Sequence, residues 1–271
     1  MKILVTNDDG IDAEGLHVLA RRLTDLGDVV VVAPDREYSG ASAALGALHV
    51  IRPEVRPAEI EGVAEAWSVS GPPALCVTFA RVGLFGGPFD LVAAGINPGA
   101  NTGRAVYHSG TVGAAITARN AGIPGLAVSQ DVVGDDVEGQ GYGEQLLGQK
   151  WDTAAEIAAR VAAAMLDHPD QDPTVLNLNV PNLELADLAG WKRTEVAHMP
   201  TTAFVNAALV PKAGHEDVFD VTMDWGDPVE LSPDSDSGAI EDGYVTVTAL
   251  TRLTDDRSVD LAPVTAALGG T

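Results

Sequence analysis

The sequence has a single cysteine, Cys76, in 271 residues. An internal disulfide is therefore excluded, and so is a metal site built on several thiolates. Basic residues are also scarce: 16 Lys and Arg stand against 39 Asp and Glu, a formal net charge of −23. Extended nucleic acid and anionic membrane surfaces are disfavoured as partners, because both are held by clustered cations. No run of about 18 uncharged apolar residues is present to span a bilayer. Residues 1–8 lack the cationic segment, apolar stretch and small-residue cleavage site of an export signal. A cytoplasmic protein with neither membrane nor nucleic-acid partner is the expectation. Neither a Walker A pattern nor G-x-G-x-x-G occurs, since Gly95, Gly99 and Gly103 are spaced by four. P-loop and dinucleotide-binding readings lose their main support.

What is present is enough apolar material for a real core, 46% of the residues. Residues 1–6 (MKILVT) form a short branched run that reads as a buried strand delivering Asn7-Asp8-Asp9-Gly10 to its tip. Leu16, Leu19, Ala20, Leu23 and Leu26 then recur at spacings of three and four, the pattern of an amphipathic helix, with Gly27 as its C′ residue. Residues 29–33 (VVVVA) are a second buried strand, which completes a βαβ unit. Strands over 91–96, 125–129 and 175–180, and helices over 111–121 and 151–166, repeat the alternation. The fold class is α/β, a Rossmann-like, three-layer, doubly wound sheet. Residues 131–149 are rich in Gly and Asp, without hydrophobic period, and read as a loop. Beyond about residue 195 the texture changes to short alternating segments, such as 218–225 and 244–250. The chain divides on this reading into a metal- and phosphate-binding domain, 1–195, and a β-rich hairpin extension, 196–271, which serves oligomerisation and returns to the core. Acidity is uneven too: residues 1–130 hold 9 basic and 13 acidic residues, residues 131–271 hold 7 and 26.

Open α/β sheets bind ligands at the carboxyl ends of their strands. Four loops there are polar: 7–10, 35–42 (DREYSGAS), 97–103 (NPGANTG) and 109–111 (SGT). Two adjacent carboxylates beside an Asn and a Ser make a hard oxygen-donor set suited to Mg²⁺ or Mn²⁺, whereas zinc would want His or Cys. An alternative use of Asp8 or Asp9 is to cap the following helix, although a cap accounts for one carboxylate more readily than two. Ser109-Gly110-Thr111 offers hydroxyls and backbone N–H groups at a helix start, which suits a phosphate or a plain N-cap.

In order and spacing these segments resemble the SurE family, the survival protein E nucleotidases. The residues that carry the likeness are 1–10 (MKILVTNDDG), 32–42 (VAPDREYSGAS), 95–101 (GINPGAN), 109–115 (SGTVGAA) and 122–129 (GIPGLAVS). Residues 177–181 (NLNVP) and 234–250 resemble later parts of the family more thinly. The resemblance implies a divalent-metal-dependent phosphomonoesterase acting on nucleoside 5′- or 3′-monophosphates. It implies that Asp8, Asp9, Ser39 and Asn97 hold one divalent cation per subunit. Asn101 and the Ser109-Gly110-Thr111 helix start would meet the phosphate, and a homodimer or homotetramer is implied as the assembly.

The chain also departs from the family pattern. Arg104-Ala105 stands where many members have an acidic pair, His108 replaces a common Tyr, and 71–76 reads GPPALC in place of Gly-Thr-Pro-Ala-Asp-Cys. Arg104 could add a cation for the phosphate, and His108 could protonate the leaving oxygen, its reference pKa being about 6.5. A solvated loop charge and a packed ring are the plainer uses of these two residues. Two other readings stand beside the nucleotidase. One is a haloacid-dehalogenase-type phosphatase, which would want Asp-x-Asp. The other is a non-catalytic nucleotide-binding module, kept open by Leu75 and Arg104-Ala105.

Overall fold

Five apolar runs assemble the middle of one nine-stranded sheet in the computed structural model, which describes all residues except 51, 133–140, 142, 170–171, 199–203, 228 and 270–271. The N-terminal half supplies β1 (Lys2–Thr6), β2 (Asp28–Pro34), β3 (Val55–Ala58), β4 (Glu65–Val69), β5 (Leu91–Pro98) and β6 (Gly125–Gln130). The later strands are β7 (Val175–Val180), β8 (Trp191–Arg193), β9 (Phe204–Pro211), β10 (Phe219–Trp225) and β11 (Val245–Leu250). The order is β3-β4-β2-β1-β5-β6-β7-β11-β8, while β9 and β10 pair separately as an antiparallel hairpin. Strands β4, β2, β1, β5, β6 and β7 run parallel. Edge strand β3 runs antiparallel to β4, and β11 runs antiparallel to β7. From β1 the chain winds outward through β2 to β4, then returns to β5 on the other side of β1. The switch point of the winding therefore lies between β1 and β5, and parallel sheets open a ligand crevice there.

Helices cover both faces. They are α1 (Glu14–Leu23), α2 (Pro73–Arg81), the single turn α3 (Ala105–His108), α4 (Gly110–Asn120), α5 (Trp151–Asp167), α6 (Asp236–Glu241) and α7 (Ala262–Leu268). Alternation along β1 serves the two layers: Ile3 and Val5 join the core beneath α1 and α5, while Leu4 joins the core beneath α2 and α4. Leu16, Leu19 and Leu23 of α1 are fully buried, each contributing roughly 1.5–3 kcal/mol of hydrophobic transfer free energy. The facing side of α5 is Ala154, Ala155, Ala158, Ala159 and Ala162, small enough for the helix to lie close to the sheet.

Several elements differ from the sequence expectation. Helix α1 ends at Leu23 with Thr24 as C-cap, so Gly27 is not its C′ residue. Gly27 instead passes Met1 so closely that a Cβ would lie 2.3 Å from the Met1 carbonyl oxygen. Strand β5 runs on through Asn97 and Pro98 with a shift of register after Ala94. Helix α2 had no periodic signal in nine residues and begins with proline in its first turn, where a missing N–H costs nothing. The β-rich C-terminal part holds the separate hairpin β9–β10, and β11 lies between β7 and β8 in the main sheet. Residues 133–140 and 142 of the expected loop over 131–149 lie outside the described residues; its described part includes a short 3-10 turn at Gly143–Leu146. Val205, Leu209, Val221 and Met223 of the hairpin and Val264 and Leu268 of α7 are exposed.

Cys76 sits wholly buried on α2 against Val77, Val32 and Val69 in the second core, and burial pushes its thiol well above the ordinary range. The thiolate is the reactive form. The native chain should therefore release no colour from an aromatic disulfide reagent over minutes, and one equivalent in guanidinium; rapid reaction of the native protein would contradict this burial.

Candidate active site

The carboxyl ends of β1 and β5 meet at the switch point, and their register places the segments after Thr6 and Ala94 side by side. Asn7, Asp8 and Asp9 follow β1. The Asn7 side chain closes the turn on itself, its Nδ2 donating to the Gly10 carbonyl at 3.0 Å and its Oδ1 accepting from the Gly10 N–H at 3.3 Å. Helix α1 has Ala13 at its N-cap with no side-chain cap. Capping of the following helix by Asp8 or Asp9 is thus excluded.

Asp8 instead meets helix α4, which begins 102 residues later in the chain. The Gly110 N–H donates to Asp8 Oδ2 at 3.1 Å, and the Thr111 hydroxyl donates to Asp8 Oδ1. Ser109 caps α4 by accepting from the Val112 N–H at 3.1 Å. A helix N-terminus carries partial positive charge, so an anion is stabilised where Asp8 lies. Burial nevertheless dominates and raises the Asp8 carboxyl above its ordinary range, with the Thr111 and Gly110 hydrogen bonds opposing it. Asp9 is raised further, first by burial and then by the negative charges of Asp8 and Glu37. Its Oδ2 is buried without a hydrogen-bond partner. Such an atom costs free energy unless something cationic or protic meets it.

The neighbouring loops supply the other oxygen atoms. The loop after β2 is tied to this centre by the Tyr38 N–H, which donates to the Asp8 carbonyl at 2.6 Å. A second tie is the Ser42 N–H, which donates to the His108 carbonyl at 2.9 Å. Ser39 lies between the two anchors and is partly buried. Asn97, buried at the end of β5, donates its amide nitrogen to the Gly99 carbonyl at 2.7 Å, which fixes the rotation of its amide. Asp8, Asp9, Ser39 and Asn97 therefore offer two carboxylates, a hydroxyl and an amide oxygen, which fits a hard divalent cation. The orphaned Asp9 oxygen is the observation that favours a cation there. No group of three or more His, Cys, Asp and Glu that could hold a metal occurs among the described residues, so a nitrogen- or sulfur-rich site is not offered.

Asn101 is held by a buried network. Its Nδ2 donates to Ser129 Oγ at 2.8 Å, and its own carbonyl accepts from Asn177 Nδ2 at 2.8 Å and Asn179 Nδ2 at 3.4 Å. Arg104 and His108 lie on the exposed side of α3. Residues 3–202 match a family model described as Survival protein SurE. The chain belongs to the SurE family.

It is 35% identical over 255 residues to a protein named 5′-nucleotidase SurE from Haemophilus influenzae strain PittGG, covering 92% of this chain and 91% of that one. It is 36% identical to a 5′/3′-nucleotidase SurE from Erwinia tasmaniensis, covering 92% and 90%. A 5′-nucleotidase SurE from Aeromonas hydrophila is 37% identical over 93% of this chain and 92% of its own. The fold is similar to the crystal structure of the SurE protein from Aquifex aeolicus, with a TM-score of 0.77 and 27% identity across 99% of both chains. Family membership carries no support for the haloacid-dehalogenase alternative.

Sequence reasoning missed a strut of this SurE site. Buried Asp236, in the first turn of α6, accepts from the Gly103 N–H at 3.2 Å and the Ala197 N–H at 2.9 Å. It thereby clamps the loop that carries Asn101 onto the last third of the chain. Burial raises its carboxyl above the ordinary range despite these donors. The only local sign was the Ser-Asp repeat at 232–237, which names no partner.

Gly110 is small for a reason: a Cβ there would lie 2.8 Å from Asp8 Cβ and Oδ2. Gly110→Ala should displace Asp8 and lower phosphate release from a nucleoside monophosphate by on the order of 100-fold, the scale of a 1 Å misplacement. Helical circular dichroism should be preserved, and a wild-type rate in this variant would refute the contact.

Proposed function

We propose that this SurE-family chain is a nucleotidase that hydrolyses nucleoside 5′-monophosphates, and 3′-monophosphates as well, with one Mg²⁺ or Mn²⁺ held by Asp8, Asp9, Ser39 and Asn97. The observation that carries the reading is buried Asp8 beside partly buried Asp9 at the β1–β5 crevice, with Asp9 Oδ2 buried and lacking a donor. The nucleotidase names of its relatives support the substrate class. When bound, the cation supplies charge neutralisation and activation of water.

The chain's own residues then do the positioning. Thr111 and Gly110 fix both oxygens of Asp8, so its orientation needs no rearrangement when phosphate arrives. Asn101, immobilised by Ser129 and Asn177, presents its amide to a phosphate oxygen, and the positive end of α4 adds to the field. Ser109, Gly110 and Thr111 thus serve the phosphate largely through Asp8, since the structure directs their donors at it or at the helix itself. Arg104 adds charge from the exposed rim. His108, also exposed, delivers a proton to the leaving oxygen. In-line attack on phosphorus follows, in which positioning and charge stabilisation do most of the work.

The assembly is part of the same proposal. The exposed apolar residues of β9–β10 and α7 suit a homodimer or homotetramer, because a lone hairpin is marginally stable in water. A reducing cytoplasm suits a chain with one buried thiol. No described helix is long and apolar enough to cross a membrane.

Phosphate release from AMP and GMP should need added Mn²⁺ or Mg²⁺, stop with EDTA and return with metal. Asp9→Asn should lower kcat at least 100-fold without lowering the Tm of the metal-free protein, since it removes a buried charge. Metal-independent turnover, or a wild-type rate in Asp9→Asn, would sink the assignment. His108→Ala should lower kcat while the metal concentration needed for half-activation stays put; unchanged kcat with a reduced Tm would make His108 a packing residue instead.

A further inference from the structure

We propose that the cleft beside Ser39 holds the nucleoside of the substrate and reads a 6-oxopurine base, guanine or hypoxanthine, through Arg36 and Arg52. This deepens the nucleotidase reading above and rests on it for the position of the phosphate. The cleft has a volume of about 420 Å³, within the roughly 300–1,000 Å³ of small-molecule sites. It is lined by Arg36, Tyr38, Ala44, Arg52, Pro53 and Pro72 among others. Tyr38 and Ala41, on either side of the Ser39-Gly40 pair, both line it. The same loop is bonded to the Asp8 and His108 carbonyls. A nucleotide whose phosphate lies at Asp8 and Asp9 therefore has this cleft within reach for its nucleoside.

The chemistry of the walls selects the base. Ala44, Pro53 and Pro72 are apolar and small, and the Tyr38 ring is backed by the Arg36 guanidinium 5.2 Å from its centroid. Flat apolar walls with an aromatic ring favour a planar heterocycle over a second phosphate, whose desolvation they would not repay. Two guanidinium groups are exposed at this cleft, and neither Arg36 nor Arg52 has an ion pair among the described residues, whereas nearby Arg56 is engaged by Glu54. In a chain with 39 acidic residues, two unneutralised arginines in one cleft are an unusual placement. A guanidinium only donates hydrogen bonds. Guanine and hypoxanthine present two adjacent acceptors, N7 and O6, which fit that fork, while adenine places an amino donor beside N7. Pyrimidines have no N7. A well-formed bidentate pair of this kind discriminates by on the order of tenfold or more.

The test uses nucleosides and nucleotides on the purified full chain. Guanosine and inosine, which lack phosphate and so bypass the metal centre, should bind on the order of tenfold tighter than adenosine by titration calorimetry. Arg52→Ala and Arg52→Lys should both shrink that preference to within about twofold, because Lys keeps the charge but not the fork. The kcat/KM ratio of GMP to AMP should fall in parallel. Equal binding of guanosine and adenosine by the wild type, or an Arg52→Ala variant with an unchanged ratio, overturns the proposal. Pyrophosphate binding that depends on Arg52 while guanosine binding does not would make the cleft a second phosphate site and overturn it as well. A wild type that binds guanosine selectively but releases phosphate from no nucleotide would refute the nucleotidase reading and leave the base site standing.

Discussion

Everything at the active end of this molecule depends on bringing the carboxylate of Asp8 to the start of helix α4. The contact joins residues about a hundred positions apart and is made from one backbone N–H, at Gly110, and one hydroxyl, at Thr111. Burying the carboxylate of Asp8 beside that of partly buried Asp9 costs more than any surface ion pair returns. The fold offsets part of the cost by placing Asp8 where strand ends converge and helix α4 begins. Asp9 shows the other side of the arrangement. Its Oδ2 is buried without a partner and costs the fold free energy.

The second half of the chain is more than an appendage to that centre. Strand β11 lies between β7 and β8, so Val245–Leu250 extends the sheet that the first half begins. Asn177 and Asn179 of β7 hold the Asn101 carbonyl, and Asp236 of α6 holds the Gly103 N–H. The loop between β5 and α3 is thereby fixed at Asn101 and Gly103 by residues remote in the chain. Rigid backing of this kind is what lets a loop position a phosphate.

Charge follows the same division. The acidic excess is concentrated beyond residue 130 of the sequence, whereas Arg36 and Arg52, which line the cleft, belong to the first half. An anionic substrate is thus compatible with a net charge of −23, because local field and not total charge governs a small ligand in a cleft. The exposed apolar residues of the hairpin and α7 lie in this acidic second half of the sequence.

The amino-acid sequence by itself determined the parallel α/β sheet, because buried parallel strands demand uninterrupted branched runs such as 29–33, and it marked the polar strand tips at 7–9, 39 and 97. Local pattern could carry no more, since hydrophobic period says which side chains are buried and not which loops meet. Helix α2 was too short to show a period, Gly27 looked like a helix terminator when its role is close passage beside Met1, and the Ser-Asp repeat around Asp236 named no partner. Only the tertiary structure decided that Asp8 faces α4 and not α1, that Asp236 clamps the Asn101 loop, and that Arg36, Tyr38 and Arg52 share a cleft. The physical reason is common to all three: each is a contact between segments remote in the chain, set by strand order and crossover, to which the identity of nearby residues contributes almost nothing.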